Sequence, residues 1–113
     1  VSGYGGGIGR MREVCGSISG AVFVISYLYG YSNPDAFDEK KSLYQDIQSV
    51  CMAFQKENGS IICRELLSMP NIGADIPTPE ERSEKYYKKR PCADIVKCSA
   101  QILEEFIKQK ETE

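Results

Sequence analysis

Five cysteines are the residues of this 113-residue sequence best suited to carry chemistry: Cys15, Cys51, Cys63, Cys92 and Cys98. A cysteine thiolate can act as a nucleophile, as one half of a disulfide or as a metal ligand. The chain contains no histidine, so it cannot build a Ser-His-Asp or Cys-His catalytic group, or a mixed cysteine and histidine zinc site, from its own residues. The composition therefore favours thiol chemistry over hydrolysis.

Cys15 is followed by two glycines, Gly16 and Gly20, which lie about one helical turn apart. Glycines leave backbone exposed beside the sulfur, so a reagent or a partner could reach this thiol. The same residues also fit a small core cysteine beside closely packed helices. We keep Cys15 as a candidate redox residue with that alternative open.

Cys63 and Cys92 are each predicted to lie in the first turn of a helix. Ser60 fits the N-cap of a short helix, and Pro91 fits the start of the last helix. The free amides and the dipole at a helix start stabilise a thiolate, and Arg64 adds positive charge beside Cys63. We expect two reactive thiols, with Cys92 directed toward the core, and for Cys63 a buried inert thiol is the alternative.

Cys51 and Cys98 are better explained as packing residues, because Cys51 falls on the apolar face of its predicted helix and Cys98 lies off the centre of the next apolar stripe. None of the five cysteines forms a CxxC pair. Any metal or cluster site would therefore have to be assembled from distant helices.

The spacing of apolar residues predicts helices that would position these thiols. Apolar side chains recur at three- and four-residue steps over 10–29 and 35–58, and shorter helices are expected over 61–67 and from Pro79, with a last helix from Pro91. No alternating strand pattern is present. We predict an all-α fold, a small bundle of about four to five helices, in a single domain over residues 1–113.

Composition excludes several classes of partner. Apolar residues make up 42% of the chain and charged residues 27%, which is ordinary for a globular protein, and the net charge is −2. The only basic run is Lys85 to Arg90, so we expect no nucleic-acid binding. The longest apolar run, Ala21 to Ile25, is far short of the ~20 residues that cross a bilayer. We expect no membrane span and a cytoplasmic location.

Four segments resemble the bacterial and archaeal redox-active protein family named for its C-GCAxxG-C-C cysteine pattern. They are Gly5-Gly6-Gly7-Ile8-Gly9-Arg10-Met11, Glu13-Val14-Cys15-Gly16-Ser17-Ile18-Ser19-Gly20-Ala21, Asn58-Gly59-Ser60-Ile61-Ile62-Cys63-Arg64-Glu65-Leu66-Leu67, and Cys92 followed by Ala100-Gln101-Ile102-Leu103-Glu104-Glu105. The resemblance implies an all-helical domain with clustered cysteines, and it carries the family's thiols onto Cys15, Cys63 and Cys92. Ser17 stands where the family usually has alanine. The family's first cysteine belongs to an upstream helix, which we expect to be missing from an N-terminally truncated chain.

Three hypotheses of function follow. The first is a thiol/disulfide redox or electron-transfer protein in which Cys15, Cys63 and Cys92 converge and exchange electrons with an unknown redox partner. In the second, the same three cysteines help to bind an iron-sulfur cluster or another thiophilic metal, which would need a fourth ligand from elsewhere in the chain or from a second subunit of a homo-oligomer. The third is a non-catalytic helical interaction module without a cofactor. The sequence leaves open whether the protein is an enzyme.

Overall fold

The structure, a computed structural model, describes residues 2–69, 74–84 and 91–112, and its regular elements are helices. A short 3-10 helix, Ser2–Tyr4, precedes α1 (Gly16–Tyr29), α2 (Phe37–Asn58), α3 (Cys63–Leu66) and α4 (Cys92–Glu111). The described ranges contain no β-strand, only an isolated antiparallel bridge between Val14 and Ile62. The predicted all-α small bundle is confirmed. No helix in these ranges is both long enough and apolar enough to cross a membrane.

The first long helix begins six residues later than the apolar pattern predicts, at Gly16 instead of Arg10. Residues 6 to 10, and Arg12 as well, have positive φ angles between +54° and +68°, which a right-handed helix excludes. Cys15 therefore lies at the N-cap and not inside the helix. Gly30 is the C-cap, as predicted.

The second helix closely follows its prediction. It begins at Phe37, two residues after the expected start, because the chain turns between Asn33 and Ala36, where the Ala36 amide donates to the Asn33 carbonyl. It ends at Gly59, whose φ of +92° lets its amide donate to the carbonyl of Gln55. A left-handed glycine of this kind is a common way to end a helix.

Ser60 organises the turn before α3 and does not cap the helix directly. Its hydroxyl accepts a hydrogen bond from the Ile62 amide at 3.0 Å and donates to the Glu65 carboxylate. The N-cap is Ile62, so Cys63 is the first residue of a helix of only four residues.

The prediction that a helix starts at Pro79 is wrong, because residues 78–83 have no regular structure. Pro77 and Pro79 disfavour helical backbone angles at the residues before them. Just before this segment, Arg10 holds the chain: its carbonyl accepts from the Asp75 amide at 2.9 Å, and its Nε donates to the Ile76 carbonyl at 2.6 Å. The basic run 85–90 lies outside the described residues.

The three long helices share one apolar core. Its buried members come from α1, α2 and α4: Ile18, Ala21, Ile25, Leu43, Val50, Phe54 and Ile95. Phe54 and Ile25 are fully buried at the centre. The Ser99 hydroxyl of α4 donates to the Ser17 carbonyl of α1 at 3.0 Å, which fixes the start of α4 beside the start of α1. This crossing brings Cys92 near the segment that carries Cys15.

Candidate functional site

Two distant segments of the chain are joined by backbone hydrogen bonds around Cys15 and Cys63. The Cys15 amide donates to the Ile61 carbonyl at 2.8 Å, and the Cys63 amide donates to the Glu13 carbonyl at 2.6 Å. These bonds flank the bridge between Val14 and Ile62. Because side chains alternate across a bridge of this kind, Cys15 and Cys63 lie on the same face of it.

The glycine-rich segment before Cys15 folds into a left-handed coil that covers this pair. Amides in the coil donate five or six residues backward: Gly9 to Gly3, Arg10 to Gly5, Arg12 to Gly6 and Glu13 to Gly7. Repeated positive φ angles are rare outside glycine, and a β-branched residue such as Ile8, at +68°, adopts them only when its surroundings impose them. The coil therefore depends on its contacts with residues 61 to 64.

Gly7 is the point of closest approach between the coil and Cys63. A Cβ atom built on Gly7 would lie 2.7 Å from the Cys63 Cβ and 2.6 Å from the Glu13 amide nitrogen, and Gly7 also has a φ of +68°. Both the space and the backbone angle require glycine here. A Cβ atom built on Gly16 would lie 3.1 Å from the Tyr4 carbonyl oxygen, so Gly16 also lies close to another part of the backbone. Gly20, in contrast, faces open space.

Arg12 is a buried cation bonded to the thiol of Cys63. The residue is 4% exposed, and its Nη1 donates to the Cys63 Sγ at 3.6 Å. Its Nη2 donates to Asp75 Oδ2 at 2.9 Å. Burial, the largest single influence, lowers the pKa of Arg12, but its hydrogen bonds and charge interactions with Cys63 and Asp75 together outweigh burial, so that pKa is raised. Arg12 is therefore charged beside the sulfur.

Asp75 holds the guanidinium of Arg12 in place. The same Oδ2 also accepts from Arg10 Nη2 at 3.0 Å, and Oδ1 accepts from the Ile76 amide at 2.9 Å. The hydrogen bond from Arg12 is the main reason that the pKa of Asp75 lies below its ordinary value. A carboxylate that remains ionised keeps Arg12 oriented.

A cavity of about 210 Å³ brings the three predicted thiols together. Its walls include Cys15, Cys63, Cys92 and Arg12, with Ser17 and the glycines of the coil. Cys15 is half-buried, with its Sγ 3.2 Å from the Ser17 hydroxyl, and Cys63 is buried. We call this space the thiol cavity.

Cys92 is the first residue of α4, as predicted, but the expectation that it points into the core is wrong because the residue is exposed. The core position of that helix is taken by Ile95, one turn further on. Cys92 instead stands where the thiol cavity reaches the surface.

Cys51 and Cys98 do not line the thiol cavity. Cys51 packs against the apolar core, and burial raises its pKa above the ordinary value. The Cys98 sulfur accepts a hydrogen bond from Asn58 Nδ2 at 3.4 Å. Their placement agrees with the packing roles expected of them.

Cys15, Cys63 and Cys92 line one cavity, but their side chains are not grouped as metal ligands in this structure. Among residues 2–69, 74–84 and 91–112, no three His, Cys, Asp or Glu side chains are grouped so that they could hold a metal ion. An iron-sulfur cluster takes four protein ligands, and the thiol cavity offers three cysteines. The chemistry proposed below uses no metal.

Sequence reasoning missed Arg12, Asp75 and Gly7. The partners of Arg12 are 51 and 63 residues away along the chain, so no local pattern could reveal them. The sequence offers one indication that Gly7 and Arg12 belong to the site: both lie in the segment directly before Cys15, which begins with several glycines.

Comparison with known proteins identifies one family. A family model described as "Putative redox-active protein (C_GCAxxG_C_C)" matches residues 1–106. Searches of curated proteins and of solved structures find no significant match. Since the match extends over nearly all of its length, the chain belongs to the C_GCAxxG_C_C family.

Proposed function

We propose that the protein is a thiol-disulfide redox protein in which Cys63 is the attacking thiol and Cys15 is the second thiol of the pair. The observation that carries this proposal is the buried guanidinium of Arg12, whose Nη1 lies 3.6 Å from the Cys63 Sγ inside a cavity that Cys15 also lines. Membership of a family described as redox-active supports the same chemistry.

Arg12 places a fixed positive charge beside the sulfur of Cys63. The thiolate, not the thiol, is the nucleophile in disulfide exchange. A hydrogen bond from a fixed positive charge is stronger to an anion than to a neutral group, and burial strengthens it because little water screens the pair. Arginine stays protonated, so Arg12 does not take up the proton of Cys63, which passes to solvent when the sulfur attacks.

The exchange takes place in two steps. The Cys63 thiolate attacks one sulfur of a substrate disulfide, the substrate S–S bond breaks, and the departing substrate sulfur leaves as a thiolate. The Cys15 thiolate then attacks Cys63 Sγ, which forms a Cys15–Cys63 disulfide and releases the second substrate thiolate. Two electrons pass from the cysteines to the substrate, and the two protons that the cysteines lose balance the two taken up by the substrate thiolates.

Cys15 is favoured as the second thiol because the backbone holds it beside Cys63. Residues placed diagonally across an antiparallel pair have Cα atoms roughly 7–8 Å apart, and a disulfide needs about 4.4–6.8 Å. Formation of the disulfide therefore requires the two segments to move closer together. Cys92 belongs to a separate helix and is exposed, which suits first contact with substrate better than closure of the pair.

The test uses the reduced full chain, mixed without oxygen with a small disulfide, quenched by alkylation and mapped by peptide mass spectrometry. We expect a reversible Cys15–Cys63 disulfide in the wild type. Cys63→Ser should abolish it, Cys15→Ser should trap substrate on Cys63, and Cys51→Ser is the matched control that should behave as wild type. A disulfide that joins Cys63 to Cys92 would overturn the assignment of Cys15, and no reversible disulfide at any of the three would overturn the function.

A further inference from the structure

The thiol cavity carries one kind of charge. Arg12 is the only charged residue in its wall, and no carboxylate lines it among the residues that the structure describes. The other wall groups are the three thiols, the Ser17 hydroxyl, glycine backbone and an apolar side. That apolar side consists of Leu66, Leu67, Ile95 and Val96. A ligand that complements this surface has one anionic group and a small apolar part.

The positive charge of Arg12 is not cancelled by its carboxylate partner. Asp75 Oδ2 accepts from both Arg10, at 3.0 Å, and Arg12, at 2.9 Å, so two guanidinium groups share one negative charge. The Nε–H of Arg12 is buried and has no hydrogen-bond acceptor among the described residues. While Cys63 is a neutral thiol or is joined to substrate in the mixed disulfide, the two guanidinium groups therefore exceed the one carboxylate by one positive charge.

The size of the cavity limits the ligand. A volume of about 210 Å³ equals that of about seven molecules of liquid water, and pockets for drug-sized ligands begin near 300 Å³. Cys63 is only 8% exposed, whereas Cys92 is exposed at the same cavity. A small molecule can enter from the Cys92 side and reach Cys63, which a folded protein surface cannot do without rearrangement.

We infer that the substrate of the thiol cavity is a small anionic sulfur compound, a disulfide or thiol that carries a carboxylate or a similar oxyanion. This inference rests on the proposed function and names its substrate class. Arg12 binds the anionic group of the substrate while its Nη1 remains next to the Cys63 sulfur that reacts. The cavity discriminates by charge against neutral and cationic disulfides of the same size.

The first experiment compares two alkylating reagents of nearly equal size, iodoacetate, which is anionic, and iodoacetamide, which is neutral. In both, the thiolate sulfur bonds to the CH2 carbon, the carbon–iodine bond breaks and iodide leaves with its electron pair. The measured quantity is the ratio of the iodoacetate rate to the iodoacetamide rate at each cysteine. Cys98, whose sulfur is hydrogen-bonded to Asn58 and not to an arginine, is the internal control.

We expect the ratio at Cys63 to exceed the ratio at Cys98 by about tenfold, the size expected for one partly screened charge pair. Asp75→Asn removes the shared negative charge and should raise the ratio at Cys63. Arg12→Gln should lower it to the value at Cys98. Equal ratios at Cys63 and Cys98 in the wild type would overturn the inference, and this comparison needs no variant to fold.

The second experiment compares oxidation of the reduced chain by an anionic disulfide, dithiodipropionate, with oxidation by a neutral one, bis(2-hydroxyethyl) disulfide. Each rate is divided by that of free N-acetylcysteinamide, a neutral thiol, which corrects for the intrinsic reactivity of the reagent. A preference for dithiodipropionate supports the substrate class, and a preference for the neutral disulfide contradicts it. Selective alkylation of Cys63 by iodoacetate, with no reversible disulfide formed, would contradict the proposed function. It would still support an anion site beside Cys63.

Discussion

Replacing Gly7 with alanine tests whether the glycine-rich coil is built around Cys63. The new Cβ would lie 2.7 Å from the Cys63 Cβ and 2.6 Å from the Glu13 nitrogen, at a φ of +68°. A left-handed conformation costs an L-residue roughly 1–2 kcal/mol. Crowding in a packed site adds about 1–3 kcal/mol. Gly7→Ala should therefore lower the free energy of unfolding by about 2–5 kcal/mol, a large part of the 5–15 kcal/mol typical of a domain.

Two other glycines separate the causes of that loss. Gly9 has a φ of +54° but nothing within 4 Å of an added Cβ, so Gly9→Ala should carry only the conformational cost of about 1–2 kcal/mol. Gly3 has open space and no left-handed angle, so Gly3→Ala should change little. Urea unfolding followed by circular dichroism measures all three, with the slope checked for constancy. If Gly7→Ala costs no more than Gly9→Ala, the argument for close contact with Cys63 is refuted.

Three further predictions concern the core, the ion pairs and a packing cysteine. Phe54→Ala should lower the free energy of unfolding by about 3–5 kcal/mol because Phe54 is fully buried. A loss below about 1 kcal/mol, measured by urea unfolding, would contradict this prediction. Because the pKa of Asp75 is lowered, its ion pairs stabilise the fold above about pH 4 and are lost as the pH falls below that value. The difference in unfolding free energy between wild type and Asp75→Asn should therefore become smaller in acid. A difference that stays constant from pH 7 to pH 3 would contradict this prediction. Since burial raises the pKa of Cys51, iodoacetamide should modify it more slowly at neutral pH than it modifies N-acetylcysteine, and equal rates would show that the thiol is open to solvent.

The helices were predictable where local chemistry and tertiary structure agree. The second helix has a continuous apolar face and ends at Gly59, a residue that tolerates a φ of +92°, so both its interior and its end can be read from the sequence. The all-α fold follows from such patterns. So does the position of Cys92 in the first turn after Pro91.

The start of α1 was not predictable, because the deciding contacts are distant. Ile8, Arg10 and Arg12 adopt left-handed angles that their own side chains disfavour, and the compensating hydrogen bonds include those to residues 61 to 64. A pattern of apolar spacing carries no information about such bonds. The apolar residue Val14 therefore looks like part of a helix when it is part of a bridge.

The cysteines of the candidate site could be predicted from the sequence, but the charged residues around them could not. The chemistry of cysteine and the family pattern select Cys15, Cys63 and Cys92, which line one cavity. Arg12 lies beside Glu13 in the sequence, where a charged pair is most simply explained by solvent exposure. Only the folded chain shows that Arg12 is buried and that Cys63 and Asp75 are its partners.

The bridge between Val14 and Ile62 and the coil before it hold the site by bonds that lie outside the helical core. The amides of Arg12, Glu13, Cys15, Cys63 and Arg64 are all bonded within the coil or across the bridge, and not within the long helices. Opening of this unit would separate Arg12 from Cys63 while α1, α2 and α4 stay packed. Native-state hydrogen exchange should therefore show these amides exchanging together, at a lower opening free energy than the amides around Phe54. If they do, a local opening removes the contact between Arg12 and Cys63 while the helical core stays folded.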